Sequence, residues 1–424
     1  MIVPYRIAIQ LLRFGLRIAA MLGHRKARAA MSGRKGWQDR LMAAEVAARK
    51  CGRQGPWFHV HCASLGEFEQ AAPVLSAWRS LHPAQPILLT FFSPSGISGA
   101  SAPEADHIDY LPWDSPGQMR RFFGAMNISD TVLVKYELWP ELMRSAHAAG
   151  TRLHLVASRF DAGRHPMNTW GGFVRKSLRT FTTVQTQDVA SGALLQSYGI
   201  SSIATGDPRV DRVCDTLRAD LPTQLGERMD SIQRWAAGRK VLIVGSAWGP
   251  EWDMLPDLLH GQTRWCALVA PHELHGAHME RWAGHVGVEL LSSLEGPAQA
   301  TSNAQILLLD AMGLLKYAYR LGDIALVGGG WGKGVHNTLE PAVYGLPVLC
   351  GPNIAGFREI EGLKDCGGLQ ACDSAEMLVL TARQWMTDTD KRKEAGAAAK
   401  AWVDGQTDAA SRIVEAIQNS IGQA

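Results

Sequence analysis

The chain has 424 residues, 46% of them hydrophobic, which is enough for two domains with full cores. A formal net charge of only +3 gives no global reason to expect a nucleic-acid partner. Seven cysteines, odd in number and without a Cys-x-x-Cys pair, argue against a disulfide framework and fit core packing in a reducing compartment.

In chain order, the first 40 residues come first and stand apart, with nine Lys/Arg against a single acid, Asp39. Arg6, Arg13 and Arg17 share one stripe of a helix with Gln10 beside them, and Ile7, Leu11, Phe14, Ile18 and Leu22 cover much of the rest. Arginine interrupts the run too often for a simple spanning helix, and no small-residue cleavage site follows a clean apolar core. The pattern predicts a basic amphipathic membrane-anchoring helix in the inner leaflet, with Arg25, Lys26, Arg28, Arg34 and Lys35 against anionic lipid. The competing expectation is a helix packed on the body of the protein.

From residue 57, short β-rich runs alternate with helical stretches at the spacing that βα units require. The first half holds Trp57–Cys62, Ile87–Phe92, His107–Leu111, Thr131–Tyr136, Leu153–Ala157, Thr183–Thr186 and Ile203–Thr205. After a polar, helix-prone stretch come Val241–Gly245, Cys266–Ala270, Glu289–Leu291, Ile306–Leu309, Ile324–Val327, Pro347–Cys350 and Leu369–Ala371. Runs such as Val-Leu-Ile-Val fit parallel strands buried on both faces. The reading is α/β: two doubly wound Rossmann-like domains facing a cleft, with ligands at the carboxyl ends of the strands. It divides the chain into a membrane-proximal helix (1–40), a first Rossmann-like domain (41–210), a linker (211–238) and a second Rossmann-like domain (239–424) that carries the nucleotide-sugar pattern of residues 322–352. The Ala-rich helices of 374–424 are expected to close the second domain.

Residues 322–352 carry the most specific pattern. The strand Ile324–Val327 runs into Gly328-Gly-Gly-Trp-Gly-Lys-Gly334, followed by a short helix with Asn337 and Glu340 and then a second strand. The turn is no Walker loop, because it lacks the Gly-Lys-Ser/Thr ending and the spacing of its glycines. Its glycines and the helix N-terminus suit a phosphate. Glu340, three residues after Asn337, can share its pocket and take the hydroxyls of a ribose.

Other strand ends are polar as well. Ser64-Leu-Gly66-Glu67 follows the first strand: Ser64 and Glu67 can form a capping box, or Glu67 can act as a general base with Gly66 admitting substrate and Glu69 deeper in the helix. Lys135 and Glu137 end the fourth strand, where Lys135 can neutralise an anionic group and Glu137 orient it. Arg159 and Arg209 stand at two further strand ends, and a guanidinium is a natural fork for carboxylate or phosphate. In the second half, Ser246 with Trp248 and Pro271 with His272 follow strands. His272, His275 and His278 are three apart, not the four that a His-Glu-x-x-His metal helix needs, so no metal is expected.

Five ordered motifs resemble the 3-deoxy-D-manno-octulosonic acid (Kdo) transferases of lipopolysaccharide synthesis. They are Ser64-x-Gly66-Glu67, Glu137-Leu138-Trp139-Pro140, Thr205-Gly206-Asp207-Pro208-Arg209-Val210-Asp211, Asp310-Ala311-Met312-Gly313 and Gly334-Val335-His336-Asn337-Thr338-Leu339-Glu340-Pro341-Ala342. The resemblance implies a GT-B fold and an inverting, metal-independent transfer of Kdo from CMP-Kdo to a lipid A precursor at the cytoplasmic face of the inner membrane, with no cofactor. It implies that Glu67 activates the acceptor hydroxyl and that Arg209, in place of a family lysine, stabilises developing negative charge. Pro271, His272, Met312, Gly313, Leu314, Asn337, Thr338, Leu339 and Glu340 fall where the family holds the CMP moiety. Lys135 stands where the family usually has an acid, Leu314 where it has a glutamate, and Val335 where it has a glycine. The alternatives are a GT-B enzyme acting on a UDP-sugar, including a hydrolysing epimerase, and a catalytically idle membrane-surface module.

Overall fold

Near-continuous apolar runs need cover on both faces, and parallel pairing between layers of helices supplies it. The computed structural model describes residues 2–162, 171–218, 220–274, 277–294 and 302–421, with backbone alone at 224, 277 and 278. His275 lies outside the described residues, as does the side chain of His278.

All fourteen expected runs form strands. They are β1 (Trp57–Cys62), β2 (Ile87–Phe91), β3 (His107–Tyr110), β4 (Ile128–Val134), β5 (Arg152–Ser158), β6 (Thr183–Thr186), β7 (Ile203–Ala204), β8 (Lys240–Ala247), β9 (Trp265–Pro271), β10 (Val288–Leu290), β11 (Ile306–Leu308), β12 (Ile324–Val327), β13 (Val348–Cys350) and β14 (Leu369–Ala371). The chain divides into two compact units, Met1–Arg212 with Asp408–Ala424, and Val213–Thr407.

In the first unit the parallel sheet runs β3-β2-β1-β4-β5-β6-β7, so the chain reverses direction across the sheet between β1 and β4. In the second unit the order is β10-β11-β9-β8-β12-β13-β14, and the reversal falls between β8 and β12. Such switch points open a crevice at the carboxyl ends of the two strands, because the following loops diverge to opposite faces. The polar strand ends Ser64–Glu67 and Lys135–Glu137 flank the first switch point, and Ser246–Trp248 and the glycine-rich turn flank the second.

The C-terminal helix corrects the expected division. Ala409–Ile421 belongs to the first unit, where Ala410, Ile413, Val414 and Ile417 are buried in one cluster with Phe58, Val60, Phe68, Val74 and Trp78. Its apolar period is plain in the sequence, but a period fixes which face is buried and not which sheet buries it. Asp211 secures the docking by accepting the backbone N–H groups of Asp408 and Ala410, both at 2.7 Å.

Residues 1–40 are also part of the first unit. Helix Ile2–Met21 turns its polar side to the body: Tyr5 Oη donates to Asp114 and Arg6 Nε to Glu141, each at 2.6 Å, and Arg13 sits over the Trp113 ring. Val3, Ile7, Leu11, Phe14, Ile18 and Met21 form an exposed stripe at spacings of three and four. Arg34 is not a lipid-facing cation. It is buried between the rings of Phe92, Tyr110 and Trp113, and it donates to the carbonyls of Leu111, Ala30 and Phe92. Burial lowers its pKa to about 10. Among the described residues, no helix is long and apolar enough to cross a membrane.

Candidate active site

At the first switch point, Ser64 precedes helix Leu65–Leu81 in extended conformation but makes no side-chain cap. Its hydroxyl instead donates to the Glu67 carboxylate, so Glu67 is held by a side chain at the head of the helix rather than spent in a capping box. Gly66 is exposed, and a Cβ there would meet only Ser64 Oγ, at 3.7 Å, which leaves the approach to Glu67 open. Glu69 is engaged elsewhere, accepting from Arg212 Nε at 3.2 Å.

Glu137 lies close enough for Glu67 to raise its pKa electrostatically, though burial is the main cause and the Trp139 indole N–H, at 2.7 Å, opposes both. The net result is a carboxyl pushed up to about 7. Burial first, and then the neighbouring carboxyl groups Glu67 and Glu137, push the Cys62 thiol pKa up. Lys135 adopts φ 60°, a left-handed conformation costly for a residue with a side chain, at the point where β4 turns toward Glu137. Ala157 and Ser246, near the ends of β5 and β8, share this feature with φ 53° each.

The two arginines expected at strand ends are ion-paired. Arg159 reaches Asp161 at 3.2 Å. Arg209 donates through Nε and a terminal nitrogen to Asp207 Oδ2, at 2.9 and 2.6 Å, which fixes the guanidinium at the start of helix Pro208–Arg218.

At the second switch point, Asn337 and Glu340 come together as their spacing predicts: Asn337 Nδ2 donates to Glu340 Oε1 at 3.1 Å, and Asn337 Oδ1 accepts from Leu339 N. Trp248, His272 and His336 form a stack, with ring centroids 4.3 Å apart for Trp248/His272 and 4.4 Å for His272/His336. The indole N–H of Trp248 donates to His336 Nε2 at 3.2 Å. Burial, and then His272, lower the His336 pKa, which favours the neutral ring. Pro271 ends β9 beside Ala247, and His272 N donates to Ala247 O. Met312 and Gly313 are exposed, whereas the side chains of Leu314, Thr338 and Leu339 are buried.

The glycine-rich turn differs from expectation in what its glycines approach. A Cβ on Gly328 would lie 2.2 Å from Ser246 O, and one on Gly330 would lie 2.5 Å from Gly351 N. These two glycines let protein loops pack backbone to backbone, and Glu251 braces the assembly by accepting from Trp248 N and Gly329 N at 3.0 and 2.9 Å. Sequence reasoning passed over Glu251. A glutamate three residues after a strand-end Trp was the only signal for it. Among the described residues, no group of three or more His, Cys, Asp or Glu side chains is placed to hold a metal ion.

Residues 35–212 match the family model described as 3-Deoxy-D-manno-octulosonic-acid transferase (kdotransferase). A 3-deoxy-D-manno-octulosonic acid transferase of Bordetella pertussis is 26% identical over 383 residues, 86% of this chain and 87% of that protein. One of Haemophilus influenzae is 26% identical over 360 residues, covering 80% and 81%. Over residues 35–212, and along most of its length against these two relatives, the chain is similar to the Kdo transferases.

Among solved structures, UDP-GlcNAc 2-epimerase from Neisseria meningitidis superimposes with a TM-score of 0.63 at 11% identity, over 86% of this chain and 99% of that one. At that identity the likeness concerns the fold alone, which is the GT-B-like α/β arrangement expected of a Kdo transferase. The family model spans both carboxylates of the first switch point, Glu67 and Glu137.

Proposed function

We propose that this chain transfers Kdo from CMP-Kdo to a lipid A precursor, with inversion and without a metal ion. The observation that carries the reading is Glu67, oriented by Ser64, beside a second carboxyl, Glu137, at the switch point of the first unit. Inverting transfer to a hydroxyl needs one base on the acceptor side, at hydrogen-bond reach of the attacking oxygen. Glu67 fills that role: it takes the hydroxyl proton, Gly66 leaves room for the acceptor, and Lys135 offsets an anionic group of the substrate.

The donor falls to the second unit. Asn337 and Glu340 form a paired acceptor and donor set for a ribose, and the stack of Trp248, His272 and His336 offers a flat face to a base. Ser246, Pro271, Met312 and Gly313 lie at or beyond the carboxyl ends of β8, β9 and β11 in the same sheet. Departure of CMP builds negative charge, which fixed dipoles would stabilise without reorganising; the role of stabilising developing negative charge is kept for Arg209 from the family resemblance alone.

A lipid acceptor also accounts for helix Ile2–Met21. Its exposed apolar stripe would lie in an anionic inner-membrane surface while its polar side stays on the protein.

The test is a transfer assay with purified protein, CMP-Kdo made in situ and a tetra-acylated lipid A precursor, with EDTA present. A product heavier by one or more Kdo residues is expected. Calorimetric CMP binding without product would overturn the assigned sugar acid or acceptor, and loss of product on adding EDTA would overturn metal independence.

A further inference from the structure

His61 is fully buried on β1, yet its Nε2 has no hydrogen-bond partner. That nitrogen lies 4.0 Å from Glu137 Oε2. The other ring nitrogen, Nδ1, is 3.2 Å from the Thr90 carbonyl oxygen and 2.9 Å from Thr90 Oγ1. The Thr90 hydroxyl can donate or accept and fits either tautomer, whereas the Thr90 carbonyl can only accept; a ring proton on Nδ1 serves that carbonyl and leaves Nε2 presenting a lone pair to Glu137. Facing an ionised carboxylate, that lone pair would be repelled and unsatisfied in a buried site. Facing a carboxylic acid, it becomes the acceptor of an O–H, after a side-chain shift of about 1 Å.

The surroundings exclude an imidazolium, and the neutral tautomer with its proton on Nε2 is the alternative that the nitrogen resonances below distinguish. Burial, and to a lesser degree Arg34, take the His61 pKa to about 3, against the opposing hydrogen bond to Thr90. Trp139 donates to the same Glu137 oxygen and lies edge-on to the His61 ring. The charged and titratable groups around the pair are Glu67 from helix Leu65–Leu81, His59 and Cys62 from β1, and Arg34.

We propose that His61 is a positioning residue that keeps Glu137 in its carboxylic acid form, so that the Glu67/Glu137 pair carries a single negative charge. This rests on the reading of Glu67 as the base. A neutral Glu137 spares Glu67 the repulsion of a second carboxylate and leaves the one charge where the acceptor proton is taken. His61 reaches the reaction only through Glu137.

Two spectroscopic measurements on the full chain, without substrate, test this. In protein labelled with 15N-histidine, the resonance removed by His61→Asn should show a protonated Nδ1 and an unprotonated Nε2. In the infrared, a carboxylic acid C=O band absent from Glu137→Gln should be present at about pH 6, and its titration midpoint should fall by about one pH unit in His61→Phe. If His61→Phe does not fold, His61→Asn serves for the second measurement. A protonated Nε2, no such band, or an unmoved midpoint would each overturn the proposal. If the spectra behave as stated while Glu67→Gln still transfers sugar, the base assignment fails and the His61–Glu137 pairing stands.

Discussion

Tyr5 Oη donates to Asp114 Oδ2 at 2.6 Å, while the same carboxylate accepts the N–H groups of Glu141 and Leu142 at 3.0 and 2.6 Å. The helix with the exposed apolar stripe is thus tied to the first turn of helix Pro140–Ala148, which begins three residues after Glu137. Asp114 and Glu141 are both buried, so their partners on the N-terminal helix are not interchangeable with water.

Deleting residues 1–24 is expected to release the protein from membranes and also to destabilise the first unit, because Asp114 and Glu141 lose Tyr5 and Arg6. Tyr5→Phe alone should cost about 1–3 kcal/mol, read as a lowered unfolding midpoint, by leaving a buried acceptor short of one donor. A shortened protein that melts like the parent would show that the helix only anchors, and one that stays on vesicles would place the anchor elsewhere.

Glu137 links pH to stability. A carboxyl raised from its ordinary value to about 7 binds more protons folded than unfolded between those limits. Its contribution is therefore fully present below the unfolded value and is lost as pH rises through about 7. Glu137→Gln, permanently uncharged, should be more stable than the parent at pH 8 by about 1–3 kcal/mol, with the gap closing below about pH 5. Denaturant melts at the two pH values check this; a gap that widens toward acid would mean the carboxyl is stabilised as the anion.

How much of this was legible from the sequence depended on the kind of signal. The strands were read nearly to the residue because buried parallel strands are short, continuous apolar runs bounded by polar loops. Glu67, Asn337 and Glu340 were legible because their spacing along a helix fixes which residues meet. The placement of helix Ala409–Ile421 was not, since it depends on a contact between β1, helix Leu65–Leu81 and residues more than 300 positions later. Arg34 misled because composition counts charges and does not show that three aromatic rings enclose one of them. The left-handed backbone at Lys135 and Ser246 falls on residue types that rarely adopt it, so no propensity argument could locate the strain.

The glycine-rich turn separates two uses of glycine. Gly330→Ala should weaken CMP binding at least about tenfold and destabilise the second unit by about 1–3 kcal/mol, since its Cβ would collide with the Gly351 backbone. Gly332→Ala, whose nearest neighbour would be Gly329 O at 3.6 Å, should fold and bind CMP as the parent does. Equal behaviour of the two variants, followed by calorimetry and thermal melts, would count against the packing role.

Glu340→Ala should weaken CMP binding about 10–100-fold, the loss expected for charge-assisted hydrogen bonds to ribose hydroxyls. Removing the carboxylate also frees Asn337 Nδ2, so Glu340→Gln serves as the milder comparison. An affinity unchanged in both variants would remove the ribose assignment.

The central claim is that Glu67 supplies the base while the donor is held by the second unit. The most direct measurement is Glu67→Gln, assayed for Kdo transfer and for CMP binding on the same preparation. The account predicts transfer reduced by about 10²–10⁴ with the CMP dissociation constant unchanged. Transfer within about tenfold of the parent, or a parallel loss of CMP affinity, would contradict it.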